Sequence, residues 1–155
     1  MQNWRLRLLT RFAHVYFAFS RGMTLGVRAA CFDDEGRVFL VRHTYLPGWH
    51  LPGGGLDRNE TAVEGLVREL KEEGNLRLTT PPALVHVYYN RGTSRRDHVI
   101  FFRCDRVRQE QPKRADMEIA AAEFFAINEL PEDTTPATRR RLAELAGTSA
   151  PDAFW

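Results

Sequence analysis

Residues 53 to 76 read GGGLDRNETAVEGLVRELKEEGNL, and this stretch decides the fold and the chemistry. Its second half predicts a helix from about Glu60 to Glu73, with Val63, Leu66, Val67 and Leu70 as the buried stripe. Gly74 and Asn75 end it, because both residue types tolerate a left-handed backbone. Glu69, Glu72 and Glu73 stand at i, i+3 and i+4, so they share one helix face. Three neighbouring carboxylates repel unless a positive charge lies among them. A hard divalent cation suits that place, since Mg²⁺ takes oxygen ligands and binds through carboxylates and substrate phosphates. Arg68 follows Glu60 by eight residues and can pair with it if Glu60 stands at the helix entrance. The run Gly53-Gly54-Gly55 lets the backbone approach a metal or a phosphate closely.

The flanking sequence supplies strands. Thr24 to Cys31 (TLGVRAAC) alternates, Asp33 to Gly36 is a turn, and Arg37 to Arg42 (RVFLVR) returns, so a hairpin is expected. Leu84–Asn90 and His98–Cys104 read as paired strands around the charged turn RGTSRRD. A further strand is expected within 117 to 127, and a short helix over Thr138–Ala146. Residues 4 to 20 (WRLRLLTRFAHVYFAFS) carry apolar residues at three- and four-residue spacing, so an N-terminal helical segment is expected over 1 to 23. Packing on the domain or a homodimer contact is the favoured role for that segment. Contact with a membrane surface is the less favoured one. Residues 24 to 155 are read as one α/β domain.

Composition narrows the class. With 155 residues, 43% hydrophobic and 27% charged, the chain has material for one packed core, which excludes disorder, collagen and a continuous coiled coil. Cys31 and Cys104 have no CxxC spacing, so a disulfide scaffold and a Cys/His zinc site are not expected, and a reducing, cytoplasmic setting is. No apolar run approaches the roughly 18 to 20 residues that span a bilayer. The net charge of +2 argues against a nucleic-acid partner, although arginine greatly outnumbers lysine and its fork suits phosphate oxygens. Candidate substrate contacts are Arg28 and Arg42 on the early strands, Arg95 and His98 around the second hairpin, and Trp49 as a stacking ring. Tyr88 and Tyr89 are further candidate stacking rings. His43, His50 and His98 are too scattered in sequence to suggest a histidine metal site.

The joint spacing is more specific than any of its parts. Gly54, Glu60, then Arg68-Glu69-Leu70-x-Glu72-Glu73 and Leu76 stand at fixed offsets. This closely resembles the signature of the Nudix hydrolases. Trp49 to Gly54 is similar to the family's approach to the signature, Arg37–Arg42 to its preceding strand, and Glu118-Ile119 with Glu123 to Pro131 to its late strand and loop. The resemblance spans about residues 24 to 146. One departure is Asn75, which stands where the family has glycine.

The resemblance implies an α/β/α sandwich with a mixed β-sheet, the signature forming loop, helix, loop. It implies hydrolysis of a diphosphate bond in a nucleotide-derived small molecule such as ADP-ribose, a nucleotide sugar or a nucleoside triphosphate. Glu69, Glu72 and Glu73 would hold Mg²⁺ or Mn²⁺ and carry the catalytic work, with backbone contacts from Gly53 or Gly54. Arg68 and Glu60 would form a structural salt bridge. Glu118 is the candidate auxiliary base, with Glu123 behind it. Activity is expected to require the cation and to rise toward alkaline pH. Two alternatives stand beside this: an RNA 5′-end pyrophosphohydrolase, and a non-catalytic nucleotide-binding regulatory module.

Overall fold

The computed structural model describes residues 22–155. The N-terminal segment expected over 4 to 20 lies outside the described residues, and with it the packing, dimer and membrane-surface readings. The described residues form β1 (Thr24–Cys31), β2 (Val38–His43), α1 (Ala62–Gly74), β3 (Leu76–Arg77), β4 (Ala83–Tyr89), β5 (Asp97–Cys104), β6 (Arg108–Gln109), β7 (Ile119–Phe125) and α2 (Pro136–Leu145). None of these helices is long and apolar enough to cross a membrane.

β1 pairs in parallel with β5, which pairs antiparallel with β4, while β2 pairs antiparallel with β7. The three-stranded β1-β5-β4 sheet is mixed, the β2–β7 and β3–β6 pairs are separate antiparallel two-stranded sheets, and one helix packs on each side of the strands. On one face Leu66 and Leu70 of α1 pack on Val27, Ala29, Phe39, Val41 and Phe102. On the other, Leu142 of α2 packs on Ala30, Val38, Leu40, Tyr88 and Phe101. Strand alternation sends successive side chains to these two cores, so apolar residues run continuously along β2.

That burial corrects the expected hairpin. β1 and β2 are joined outside the named strands by one bridge, Phe32 to Val38, and then part to different neighbours. A strand buried on both faces sits in the sheet interior and is paired by tertiary partners, not by the adjacent turn. A second correction concerns α1: Val63 and Val67 are 44% and 45% exposed. The core side is set by Leu66 and Leu70, and the valines fall on a flank.

Both helices begin with side-chain caps. Thr61 and Glu64 form a reciprocal capping box on α1, and Asn75 ends the helix at φ 53. The left-handed position therefore survives with asparagine in place of glycine. Thr135 caps α2, with Pro136 in the first turn, so the helix starts two residues before Thr138.

Candidate active site

The glycine run passes directly over β1. Gly53 has φ 132, and a Cβ there would strike the Val27 carbonyl. The Gly54 carbonyl accepts from Val27 N–H at 2.8 Å. A Cβ on Gly54 would lie 2.6 Å from the Glu69 carboxylate, so that carboxylate fills the space a side chain would take. This contact locks the loop to α1 and requires glycine.

Arg68 organises the exposed side of the helix. Its Nε and Nη2 donate to Glu60 at 2.9 and 3.0 Å, and Nη1 donates to Glu69 at 2.6 Å and to Glu72 at 3.4 Å. A further bond reaches the Gly55 carbonyl at 3.0 Å. One guanidinium thus hydrogen-bonds three carboxylates and stands 3.7 Å from a fourth, that of Asp57. The Arg68 bond and the Asp57 N–H hold the Glu60 carboxyl below its ordinary range.

Glu73 lies deeper. It is 3% exposed, and its Oε2 accepts from Gly53 N–H at 2.7 Å. Its other oxygen, Oε1, stands 3.5 Å from His43 Nε2. Burial lifts the Glu73 carboxyl from 4.5 to about 7; Arg28 and the Gly53 bond oppose the rise, while Glu69 and Glu118 add to it. Burial also raises Glu69, against the pull of Arg68. Both shifts are led by desolvation, which disfavours the charged carboxylate.

Glu69, Glu72, Glu73, Asp116 and Glu118 line one cavity of about 600 Å³ with Arg68, Lys71 and Lys113 at its edges. Glu118 enters it because the β2–β7 register slips between Arg42 and His43, pairing His43 with Ile119. Its Oε1 accepts from the Tyr45 hydroxyl at 3.3 Å. Glu123, opposite Leu40 on β7, is exposed and away from the cavity lining.

The donor set fits a hard divalent cation in kind: carboxylates on one helix, a glycine backbone against them, and a buried acid whose pKa is held up by desolvation. Among the described residues, no three His, Cys, Asp or Glu side chains are already drawn into an ion-sized cage.

A second cavity of about 440 Å³ adjoins the loop and is lined by Arg28, His50, Gly54, Gly55, Asp97 and Trp155, among others. Arg28 is half-buried, donates to the Leu51 carbonyl at 2.9 Å, and lowers the pKa of Glu73 and His50. Of the sequence-predicted substrate residues, Arg28 alone lines it. Trp49 is 7% exposed with its ring edge-on to Phe125 at 4.8 Å, so it is a core ring with no free face to stack on a base. Arg42 points to the solvated side and pairs with Asp133 at 2.7 Å. Arg95 is exposed, and His98 stacks on Tyr89 at 5.3 Å; neither lines either cavity. Tyr88 is fully buried and donates to Glu144 at 2.6 Å.

Sequence reading set His43 and His50 apart, yet the fold stacks their rings edge to face at 5.6 Å beside Glu73. The available signal was position: His43 continues the alternation of Phe39 and Val41, which points into the core.

Comparison with known proteins agrees with this architecture. A model of the NUDIX domain matches residues 22–145. Among curated proteins, an RNA pyrophosphohydrolase of Xanthomonas campestris pv. campestris is 44% identical over 43 residues, 28% of this chain and 21% of that protein. One from Xylella fastidiosa is 44% identical over 52 residues, covering 34% and 26%. The chain therefore matches only about a fifth to a quarter of the length of these relatives. Among solved structures, a MutT NUDIX hydrolase from Burkholderia pseudomallei aligns with TM-score 0.66 and 26% identity, over 79% of this chain and 97% of that one. An ADP-ribose pyrophosphatase from Streptococcus suis shares the fold at TM-score 0.59 and 24% identity, over 83% and 94%.

Proposed function

The chain belongs to the NUDIX domain family, and from that premise we propose that it is a divalent-cation-dependent hydrolase of a diphosphate bond in a nucleotide-derived small molecule. The observation that carries this reading is the convergence of Glu69, Glu72, Glu73 and Glu118 on one cavity against the Gly53-Gly54 backbone.

In this reading Glu69, Glu72 and Glu73 hold Mg²⁺ or Mn²⁺. The ion supplies charge neutralisation on phosphoryl oxygens and a water acidic enough to attack near neutral pH. Arg68 keeps Glu69 and Glu72 on the cavity side of α1. Arg28, in the second cavity and close enough to act on Glu73, adds positive charge for a phosphate group, and that cavity seats the nucleoside portion. In this reading Glu118 accepts a proton from water, a role supported by its sharing one cavity lining with Glu73. Cys31 and Cys104 are buried opposite each other on β1 and β5 without a disulfide, which supports a reducing, cytoplasmic setting.

A second reading, an RNA 5′-end pyrophosphohydrolase, is favoured by the short matches to proteins of that name. One screen separates the two. Product release is measured on nucleoside triphosphates, ADP-ribose, nucleotide sugars and a 5′-triphosphorylated oligoribonucleotide, with Mg²⁺ or Mn²⁺, beside Glu72→Gln. Turnover of one small-molecule class is expected, abolished by EDTA and cut by at least about 100-fold in the variant. Turnover confined to the oligoribonucleotide selects the second reading. Turnover indifferent to EDTA, or none on any substrate, overturns both.

A further inference from the structure

We propose that His43 is a positioning residue for Glu73, holding its carboxylate in the orientation that takes the divalent cation. The inference rests on the metal-dependent reading above.

His43 is 5% exposed at the end of β2, and neither ring nitrogen has a hydrogen bond among the described residues. Phe39 and Val41, two strand positions before it in turn, are core apolar residues. An apolar residue would fill position 43 without two idle polar atoms, so packing does not account for the imidazole. Its surroundings point one way. Nε2 faces Glu73 Oε1 at 3.5 Å, and the rings of Tyr45 and His50 flank it at 5.2 and 5.6 Å.

Glu73 has one oxygen fixed by Gly53 N–H, and His43 Nε2 stands 3.5 Å from the other. Burial, Arg28 and His50 lower the imidazole pKa, against Glu118. A neutral ring with its proton on Nε2 donates to Oε1 when Glu73 is ionised. The carboxylate is then tethered at both oxygens, and its remaining lone pairs face the cavity. Hydrogen bonds behind a ligating carboxylate are a standard way to fix a metal site, and their loss costs roughly 10- to 100-fold in metal affinity. The role needs a donor and transfers no proton.

The test uses the full chain with His43→Leu and His43→Gln. Melting temperature is measured without metal, Mn²⁺ affinity by electron paramagnetic resonance, and kcat and KM on the substrate the screen identifies. His43→Leu is expected to melt at or above the wild-type temperature. Its Mn²⁺ dissociation constant should rise about tenfold or more, with kcat lowered and KM little changed. His43→Gln, which keeps an N–H donor, should regain most of the affinity. Unchanged Mn²⁺ affinity in His43→Leu overturns the proposal while leaving the hydrolase reading intact. So does an equal loss of melting temperature in both variants, which marks a packing role. A wild-type protein that binds Mn²⁺ through His43-dependent affinity yet hydrolyses nothing ends the hydrolase reading and supports the positioning role. A wild-type protein that binds no Mn²⁺ overturns both.

Discussion

Two buried charged centres sit on opposite faces of the sheet, and they are finished to different degrees. Behind α2, Arg141 is fully buried, yet it donates to Glu144 at 2.6 Å and to the Phe154 carbonyl at 2.9 Å. Its Nε lacks a hydrogen bond, but the guanidinium covers the Tyr88 ring with Cζ 3.8 Å from the centroid. Glu144 Oε2 accepts from the Tyr88 hydroxyl, and the Asp152 N–H shares Oε1 with Arg141. Beneath α1, Glu73 has one hydrogen bond, His43 has none, and both carry pKa shifts set first by burial. The first centre is paired and holds the tail against the sheet. The second keeps donor capacity in reserve, which suits the ligand site proposed for it.

The comparison can be broken most forcefully at Arg141. Arg141→Ala leaves Glu144 buried without its cation, and an expected loss of about 3 to 5 kcal/mol is measurable by urea unfolding. Loss within error of a surface substitution would show that the α2 centre is not closed as described.

Glu73→Gln should act in the opposite direction in the metal-free protein. The wild-type carboxyl titrates at about 7 in place of 4.5, so the folded state binds the proton more tightly than the unfolded chain. Its stabilising contribution is complete below pH 4.5 and is lost as pH rises through about 7. At pH 8 the buried charge then costs about 3 kcal/mol, at about 1.4 kcal/mol per unit. Gln keeps an acceptor for Gly53 N–H without that charge. The variant should therefore out-melt wild type at pH 8, with the gap closing toward pH 4.5. Equal melting temperatures at both pH values would place Glu73 outside the strained centre.

The smallest effect belongs to the outer flank of α1. Val67→Lys, at a side chain 45% exposed, should change stability by no more than about 0.5 kcal/mol and leave activity unaltered. A larger loss would show that this flank is covered by something beyond residues 22–155.

Much of this was legible in the sequence because it is local. The asparagine stop at 75, the Arg68–Glu60 pair and the shared face of Glu69, Glu72 and Glu73 all follow from helix geometry over short offsets, whereas the Thr61–Glu64 capping box came from the structure. The strand segments were legible from alternation. Their pairing was not: the expected β1–β2 hairpin gave way to β1–β5 and β2–β7, since each apolar strand pairs where burial on both faces is available. The same limit governed the site. Whether Trp49 stacks on ligand or core, or whether His43 meets Glu73, depends on residues far apart in the chain. The sequence by itself determined the helix, its acid cluster and the glycine run, because each is fixed within a few turns of backbone. Only the tertiary structure decided which carboxylate is buried and which is bathed in water, because desolvation is set by what packs above a residue.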